Sequence, residues 1–208
     1  MSIRHRVNIF RRYPHWAMKE CIFIHIPKVA GTSINEAIYG RTLGHYSAQT
    51  IKARFPRLYE RCFVFSFVRN PWDRAVSAYR FAKKGRTETM GVRNPSQYQI
   101  PEFESFERFV IEWLSCRDTS QLDYIFQPQH HFVTDRHGVV MVDFLGRFEN
   151  LDSDIAVVNE RLGREIVLPR INVTCRSPGY VSEYKSQELI DLVGEIYQED
   201  IHMFKYEF

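Results

Sequence analysis

Length, composition and charge limit the kinds of protein that this chain can be. It has 208 residues, 44% of them hydrophobic and 25% charged, with a formal net charge of +3. A chain of this size can bury one sizeable core, so we predict a single domain over residues 1–208. The weak positive charge suits an anionic ligand, but it is too small to indicate nucleic-acid binding.

The N-terminus and the cysteines indicate where the protein resides. Residues 1–20 carry basic side chains but no apolar stretch of signal-peptide type, and we interpret them as an N-terminal arm. No apolar run elsewhere approaches the roughly 20 residues of a transmembrane segment. The four cysteines form no CxxC pair, and Cys21 and Cys62 fall in predicted buried strands, which favours reduced thiols. We therefore expect a soluble, cytoplasmic protein.

A buried strand that leads into a small turn is the most informative feature of the chain. The run from Cys21 to Ile26 predicts a strand covered on both faces, and Pro27 ends it because proline lacks a backbone donor. A helix then begins at Gly31. Its first amides and the positive end of its dipole form a natural anion site. The side chains that can converge on the same anion are those of Lys28, Thr32 and Ser33. The alternative is a plain turn that Thr32 or Ser33 caps.

A second strand-to-helix unit follows a predicted helix over residues 47–55. Apolar residues from Phe63 to Val68 predict a strand, and Asn70 and Pro71 are typical of the helix start after it. The helix is expected to run from about Pro71 to Lys84. Its N-terminal flank carries Arg69 and its second turn Ser77, which could bind a phosphate together. The alternative is an Arg69 that pairs with Asp73.

The remaining elements continue the alternation of strands and helices. Residues 83–101 are polar and predict a long loop that could serve as a lid. Apolar spacing predicts a helix from Phe103 to Leu114, a strand from Val139 to Phe144, a helix from Asp152 to Leu162 and a C-terminal helix. Alternation of this kind predicts an α/β fold of P-loop-like type, with a parallel sheet and helices on both of its faces.

The two strand-to-helix segments resemble the cofactor motifs of a known family. IPKVAGTS and FVRNPWDRAVSAY look like the two motifs of sulfotransferases, in the branch of the heparan 2-O and chondroitin carbohydrate enzymes. VDFLGRFENL and YQEDIHMFKY are similar to later segments of that branch, so the resemblance covers most of the chain and implies a soluble, bacterial-type member. Val29 and Ala30 depart from the family pattern, in which threonine or glycine is frequent.

The resemblance implies a co-substrate and roles for particular residues. The co-substrate is 3′-phosphoadenosine 5′-phosphosulfate (PAPS), and no metal is expected. By resemblance, its 5′-phosphosulfate is bound by Lys28, Gly31, Thr32 and Ser33, and its 3′-phosphate by Arg69 and Ser77. Lys28 would stabilise the departing phosphate oxygen. The implied acceptor is a carbohydrate or another small molecule with a hydroxyl group.

A hydroxyl acceptor also requires a base, for which His45 is the first choice. It resembles the catalytic histidine that follows the first motif in the 2-O-sulfotransferase branch, and histidine can take a proton near neutral pH. The alternative role for His45 is to cap or pair near the helix that starts at Ser47. Glu36, one turn along the first helix, is the second candidate base.

Several other polar residues have simpler interpretations. Four side chains that could suggest a metal site are those of His130, His131, Asp135 and His137. Their spacing matches no metal motif, so we predict that this segment forms a turn or the rim of an acceptor site. His25 is expected to be a core histidine with satisfied hydrogen bonds. Arg176 could cover the 3′-phosphate, although a solvated surface loop is the simpler interpretation of its segment.

Two other function classes remain open at this stage. A P-loop kinase would need GxxxxGK followed by Ser or Thr, whereas Lys28 here precedes Gly31 and the second strand ends at Arg69 instead of a metal-binding aspartate. The other alternative is a nucleotide-binding scaffold without turnover, which could bind a partner through residues 83–101. A base at His45 would distinguish an enzyme from such a scaffold.

Overall fold

The fold is described from a computed structural model for residues 8–86, 91–92, 94–168 and 179–208. Contacts group the chain into two compact units. The first unit comprises residues 1–68 and 129–173, and the second comprises residues 69–128 and 174–208. Whether both units belong to one folding domain stays a prediction.

The first unit contains all three strands and eight helical segments within its described residues. The strands are β1 (Cys21–Ile24), β2 (Phe63–Val68) and β3 (Phe144–Arg147). The α-helices are α1 (Tyr13–Lys19), α2 (Gly31–Tyr39), α3 (Ala48–Arg54), α4 (Pro56–Arg61), α7 (His130–Val133) and α8 (Leu151–Leu162), and a 3-10 turn each covers Phe10–Arg12 and Phe148–Asn150.

The second unit is helical. Its α-helices are α5 (Pro71–Lys84), α6 (Phe106–Arg108), α9 (Gln187–Ile196) and α10 (Gln198–Phe204). Helix α6 continues as a π-helix over Phe109–Leu114. Short 3-10 turns cover Pro95–Tyr98, Pro101–Phe103, Thr119–Gln121 and Tyr180–Glu183. None of the helices in the described ranges is long and apolar enough to cross a membrane.

The three strands form a parallel sheet in the order β1-β2-β3, which confirms the predicted α/β class. Phe23 pairs with Phe65, and Phe65 with Phe144. All four residues of β1 are buried, as expected for a strand covered on both faces. The Ser66 hydroxyl donates to the Ile24 carbonyl at 2.7 Å, which ties β2 to the end of β1.

The strand predicted from Val139 to Phe144 is displaced. Of the residues in this predicted strand, only Phe144 belongs to β3, while Val140 forms an antiparallel bridge with Thr134. Val139 and Val140 are exposed, so the apolar run that suggested a strand lies on a surface turn. The Asp143 carboxylate accepts a hydrogen bond from the Val64 amide at 2.8 Å, directly before β3 begins.

The helix predictions are close to the observed bounds. Helix α5 spans Pro71–Lys84 as predicted, and the Asn70 side chain accepts from the Trp72 amide at 3.0 Å. The helix expected from Phe103 begins at Phe106 because Phe103 lies in a preceding 3-10 turn.

Aromatic rings and one buried arginine form the core of the second unit. The Arg74 side chain is only 2% exposed, and its Nη2 donates to the Gln127 carbonyl at 2.8 Å. The rings packed around Phe109 lie at centroid distances of 5.1 to 6.0 Å and belong to Tyr79, Phe103, Phe106, Trp113 and Phe126. These six rings are all buried and form one aromatic cluster.

Residues 83–101 are only partly the free loop that their polarity predicted. Lys83 and Lys84 complete α5, and residues 87–90 and 93 lie outside the described residues. Tyr98 is buried at 3% exposure and donates to the Asp123 carboxylate at 2.5 Å. Part of the segment is therefore packed into the second unit, while its role as a lid stays a prediction.

Candidate functional site

The turn between β1 and α2 has an unusual backbone. Lys28 has φ +73° and Ala30 has φ +61°, both in the left-handed region. Residues other than glycine seldom adopt this region, because their Cβ atoms approach the backbone too closely. Backbone conformations of this kind cluster at ligand sites, where the surrounding structure holds them. The turn that the sequence predicted as an anion site thus has a backbone conformation typical of ligand sites.

Helix α2 begins without a side-chain cap. Its N-cap residue is Ala30, which has no side chain able to accept a hydrogen bond. Thr32 and Ser33 lie inside the first turn of α2, so neither is the N-cap residue that the alternative interpretation required. The first amides of a helix have no partners within the helix and mark the positive end of its dipole. This helix start therefore retains the features that bind anions.

Glycine is required at the first position of α2. A Cβ atom built on Gly31 would lie 1.9 Å from Cδ2 and 2.1 Å from Nε2 of the His25 ring. Such distances are far below any normal contact, so the imidazole occupies the space that a side chain at residue 31 would need. The glycine of the motif is thus explained by packing as well as by access for a ligand.

His25 differs from the satisfied core histidine that the sequence suggested. It follows β1 and is buried at 3% exposure, but its Nδ1 atom has no hydrogen-bond partner. Burial, followed by the nearby His45 and Lys28, lowers the pKa of His25 well below its usual value. The ring is therefore a neutral imidazole at neutral pH.

His45 lies against His25 in the first unit. Its Nδ1 is 2.9 Å from the His25 carbonyl oxygen, and the two ring centroids are 4.1 Å apart. A carbonyl oxygen can only accept, so the Nδ1 atom of His45 carries the hydrogen. In the neutral ring the other nitrogen, Nε2, then holds the lone pair that a general base needs.

The alternative roles of His45 and Glu36 can be compared with this geometry. The N-cap of α3 is Ser47, whose own hydroxyl accepts from the Thr50 amide at 3.2 Å, so His45 is not needed as the cap. Glu36 is exposed on α2. Of the two candidate bases, His45 is the one with a hydrogen bond that orients its ring.

Two residues that the sequence analysis did not single out connect α2 to the strand before it and the loop after it. The Asn35 side chain, 1% exposed, donates to the Gly31 carbonyl at 2.8 Å and accepts from the Leu43 amide at 3.3 Å. The Tyr39 hydroxyl donates to the Cys21 carbonyl at 3.1 Å and accepts from the Phe23 amide at 3.0 Å. An asparagine in the first turns of a helix and a tyrosine at its end were the only sequence signals for these contacts.

Arg69 and Ser77 belong to the second unit, on either side of the start of α5. The Arg69 guanidinium forms a bidentate pair with Asp73, with Nε and Nη2 each 2.8 Å from a carboxylate oxygen. This is the pairing that the sequence analysis gave as the alternative to phosphate binding. Ser77 is partly exposed within α5.

The histidine cluster is a turn. His130 and His131 lie in the single turn of α7, and the Asp135 carboxylate accepts from the amides of His137 and Val139 at 2.8 and 3.0 Å. The Val139 amide, then that of His137, lowers the pKa of Asp135. Over the described ranges, no group of three or more His, Cys, Asp and Glu side chains is placed to hold a metal ion. Arg176 lies outside the described residues.

The cysteines agree with the expectation of reduced thiols where they are described. Cys21 and Cys62 are buried and not bonded to each other, and Cys116 is exposed. Burial raises the pKa of the Cys21 thiol, and it raises that of Cys62 to about 11. Neither buried thiol is therefore a reactive nucleophile.

Comparison with known proteins gives two matches. The model of the family described as the sulfotransferase family matches residues 18–207. An uncharacterized protein of Archaeoglobus fulgidus is 34% identical over 110 residues, which cover 51% of this chain and 72% of that protein. No solved structure matches.

Proposed function

Because the chain belongs to the sulfotransferase family, we propose that it transfers a sulfuryl group from PAPS to a hydroxyl group of a carbohydrate. Sulfuryl transfer is the general chemistry of the family. The choice of PAPS is supported by the two motifs that resemble its binding segments. The carbohydrate acceptor is supported by the resemblance to one branch of the family.

The uncapped start of α2 is the observation that carries the proposal. It combines a buried strand, a turn with two left-handed residues, and a glycine at the first helical position. The 5′-phosphosulfate would be bound there by the amides of the helix start and by the side chains of Lys28, Thr32 and Ser33. An anion gains from both the exposed amides and the helix dipole at such a position.

The reaction moves one sulfuryl group and one proton. The acceptor oxygen attacks sulfur as the bond from sulfur to the bridging phosphate oxygen breaks, and charge builds on that departing oxygen. The Lys28 ammonium would stabilise this charge. Nε2 of His45 would take the acceptor proton. The products are a sulfate ester and adenosine 3′,5′-bisphosphate, and catalysis relies on position and fixed charge.

Arg69 and Ser77 would bind the 3′-phosphate of PAPS. A planar guanidinium and a hydroxyl suit a phosphate, because the guanidinium can donate two parallel hydrogen bonds. Arg69 already makes two such bonds to Asp73. We therefore propose that Asp73 orients the Arg69 guanidinium for contact with the phosphate.

Thermal unfolding with nucleotides tests this function. Adenosine 3′,5′-bisphosphate at a hundred times its Kd should stabilise the protein by about 2.7 kcal/mol, which corresponds to a Tm increase of roughly 5 to 11 °C. The increase should not depend on magnesium and should be lost in Arg69→Ala. A matched control is Arg108→Ala, because Arg108 pairs with Glu104 and Glu112 on the surface.

Thermal unfolding together with a transfer assay separates the proposal from its two rivals. A magnesium-dependent Tm increase with ATP, and none with the bisphosphate, would identify a kinase. Binding of the bisphosphate without transfer of ³⁵S from labelled PAPS to any of a panel of saccharides would favour a scaffold. Labelled product on a saccharide would establish both the donor and the class of acceptor.

A further inference from the structure

His25 contacts His45 in two independent ways. Its backbone carbonyl accepts the Nδ1 hydrogen of His45 at 2.9 Å, and its ring lies 4.1 Å from the His45 ring between centroids. The first contact selects the tautomer of His45, because only the Nδ1-protonated ring can donate to a carbonyl. The second contact limits how the His45 ring can tilt and rotate.

The His25 ring is itself held in place on its other sides. It lies parallel to Phe23, with 5.8 Å between ring centroids, and fills the side-chain space of Gly31. Since Gly31 is the first residue of α2, the ring connects the position of His45 to the start of the candidate anion site. A shift of either one would require the His25 ring to move.

The burial of His25 keeps it neutral beside the candidate base. Burial is the main cause, and the two titratable neighbours His45 and Lys28 also disfavour a positive charge on His25. A neutral neighbour does not compete for the proton that His45 takes up. It also adds no positive charge next to the imidazolium that His45 becomes during transfer.

We propose that His25 is a positioning residue for His45. Its carbonyl fixes the Nδ1-protonated tautomer, and its ring holds the His45 ring at the start of α2 with Nε2 as the proton acceptor. The inference rests on the proposed function, because it explains how the base of that reaction is oriented. His25 itself touches no reacting atom and acts only through His45.

The first test is the tautomer of His45 in the free protein, measured by long-range ¹H–¹⁵N NMR. Wild-type protein should give the Nδ1-protonated form alone. His25→Ala keeps the carbonyl but removes the ring that holds the His45 ring against it. His45 should then leave this hydrogen bond for part of the time and show a mixture of both tautomers. His25→Phe is the matched control, because it restores a flat ring without nitrogen atoms, and it should preserve the wild-type tautomer.

The second test is turnover. We expect kcat of His25→Ala to fall at least about tenfold, while KM for PAPS stays within about twofold. The loss is smaller than the roughly 10²- to 10⁴-fold contribution of a general base, because His45 itself remains. His25→Phe should retain kcat within about threefold. A folded His25→Ala protein with the wild-type tautomer and kcat would overturn the inference, as would a folded His25→Phe protein as impaired as His25→Ala.

A companion variant guards against loss of folding. Gly31→Ala should be severely destabilising in the wild-type background, because the new Cβ meets the His25 ring. The same change should be tolerated in His25→Ala, where the space of the imidazole ring is empty. In the double variant the Cβ atom of residue 31 fills part of that space, so this protein can be used for the NMR measurement if His25→Ala alone does not fold. The NMR result needs no turnover, so failure of this inference is distinguishable from failure of the proposed sulfuryl transfer.

Discussion

At the scale of single residues, two residues near the candidate site of the first unit are held in energetically unfavourable states. The His25 Nδ1 atom is buried without a partner, and Lys28 has a left-handed backbone. Each such state costs free energy that packing elsewhere must offset. His25 directly follows β1, and Lys28 lies three positions before the first residue of α2. This is where the proposed reaction needs a rigid arrangement.

The Lys28→Ala variant tests the charge at this turn. We expect kcat to fall by roughly 10² to 10³, the usual loss when one electrostatic donor to a developing oxyanion is removed. Steady-state kinetics with labelled PAPS would measure it. Lys84→Ala, at the exposed end of α5, is the control and should leave kcat unchanged. Near-normal turnover in Lys28→Ala would remove Lys28 from the mechanism.

The lowered pKa of His25 predicts how stability depends on pH. The unfolded chain has a histidine pKa of about 6.5, whereas the folded pKa lies well below it. Below pH 6.5 the unfolded state therefore binds more protons, and the free energy of unfolding falls as the pH falls.

Replacing His25 should remove that dependence. Between pH 7.5 and pH 5.5 the wild-type protein should lose about 1.4 kcal/mol more stability than His25→Phe, which corresponds to one proton over about one pH unit. Urea unfolding of both proteins at the two pH values would measure the difference. Equal losses would mean that His25 titrates in the folded protein as it does in the unfolded chain.

At the scale of elements, the sequence located most helices because their signals are local. The bounds expected for helix α5, about Pro71 to Lys84, match the observed ones, since Asn70 and Pro71 specify its start and its apolar spacing specifies its buried face. The strand expected from Val139 to Phe144 was wrong in its bounds. An apolar run there could join the sheet or form a turn with residues 133–135, and the hydrogen bond from the Met141 amide to the Val133 carbonyl shows that it forms the turn.

The turn before α2 gives a prediction at this scale. Ala30→Gly should stabilise the protein by about 1 kcal/mol, because glycine lacks the Cβ atom that makes φ +61° unfavourable. Ala37→Gly, within the same helix, should instead destabilise it by about 0.8 to 1.0 kcal/mol. Chemical denaturation of both variants would show opposite signs. A destabilised Ala30→Gly protein would indicate that the alanine methyl group is needed for packing.

At the scale of the whole molecule, the chain passes between the two units three times, after residues 68, 128 and 173. Neither unit is therefore a continuous piece of sequence. Each needs segments from two separate parts of the chain to complete its core, which favours folding as one domain despite the division of contacts.

The single-domain prediction can be tested by unfolding. We expect one cooperative transition, with the same midpoint for tryptophan fluorescence and for far-ultraviolet circular dichroism. Single-tryptophan variants would report on each unit, because Trp16 lies in the first and Trp72 and Trp113 in the second. Separate midpoints for Trp16 and Trp113 would show instead that the units unfold independently.

The sequence by itself determined the α/β class, and it led to the predictions of an anion site before α2 and of His45 as the base. Each depends on local information: buried apolar runs, helix-start residues, and motifs that resemble those of a family. Only the tertiary structure decided which tautomer His45 adopts, why residue 31 must be glycine, and that Arg69 pairs with Asp73. These depend on contacts such as that of His25 with His45, twenty positions apart along the chain, and the direction of a side chain in three dimensions is not encoded in any local pattern.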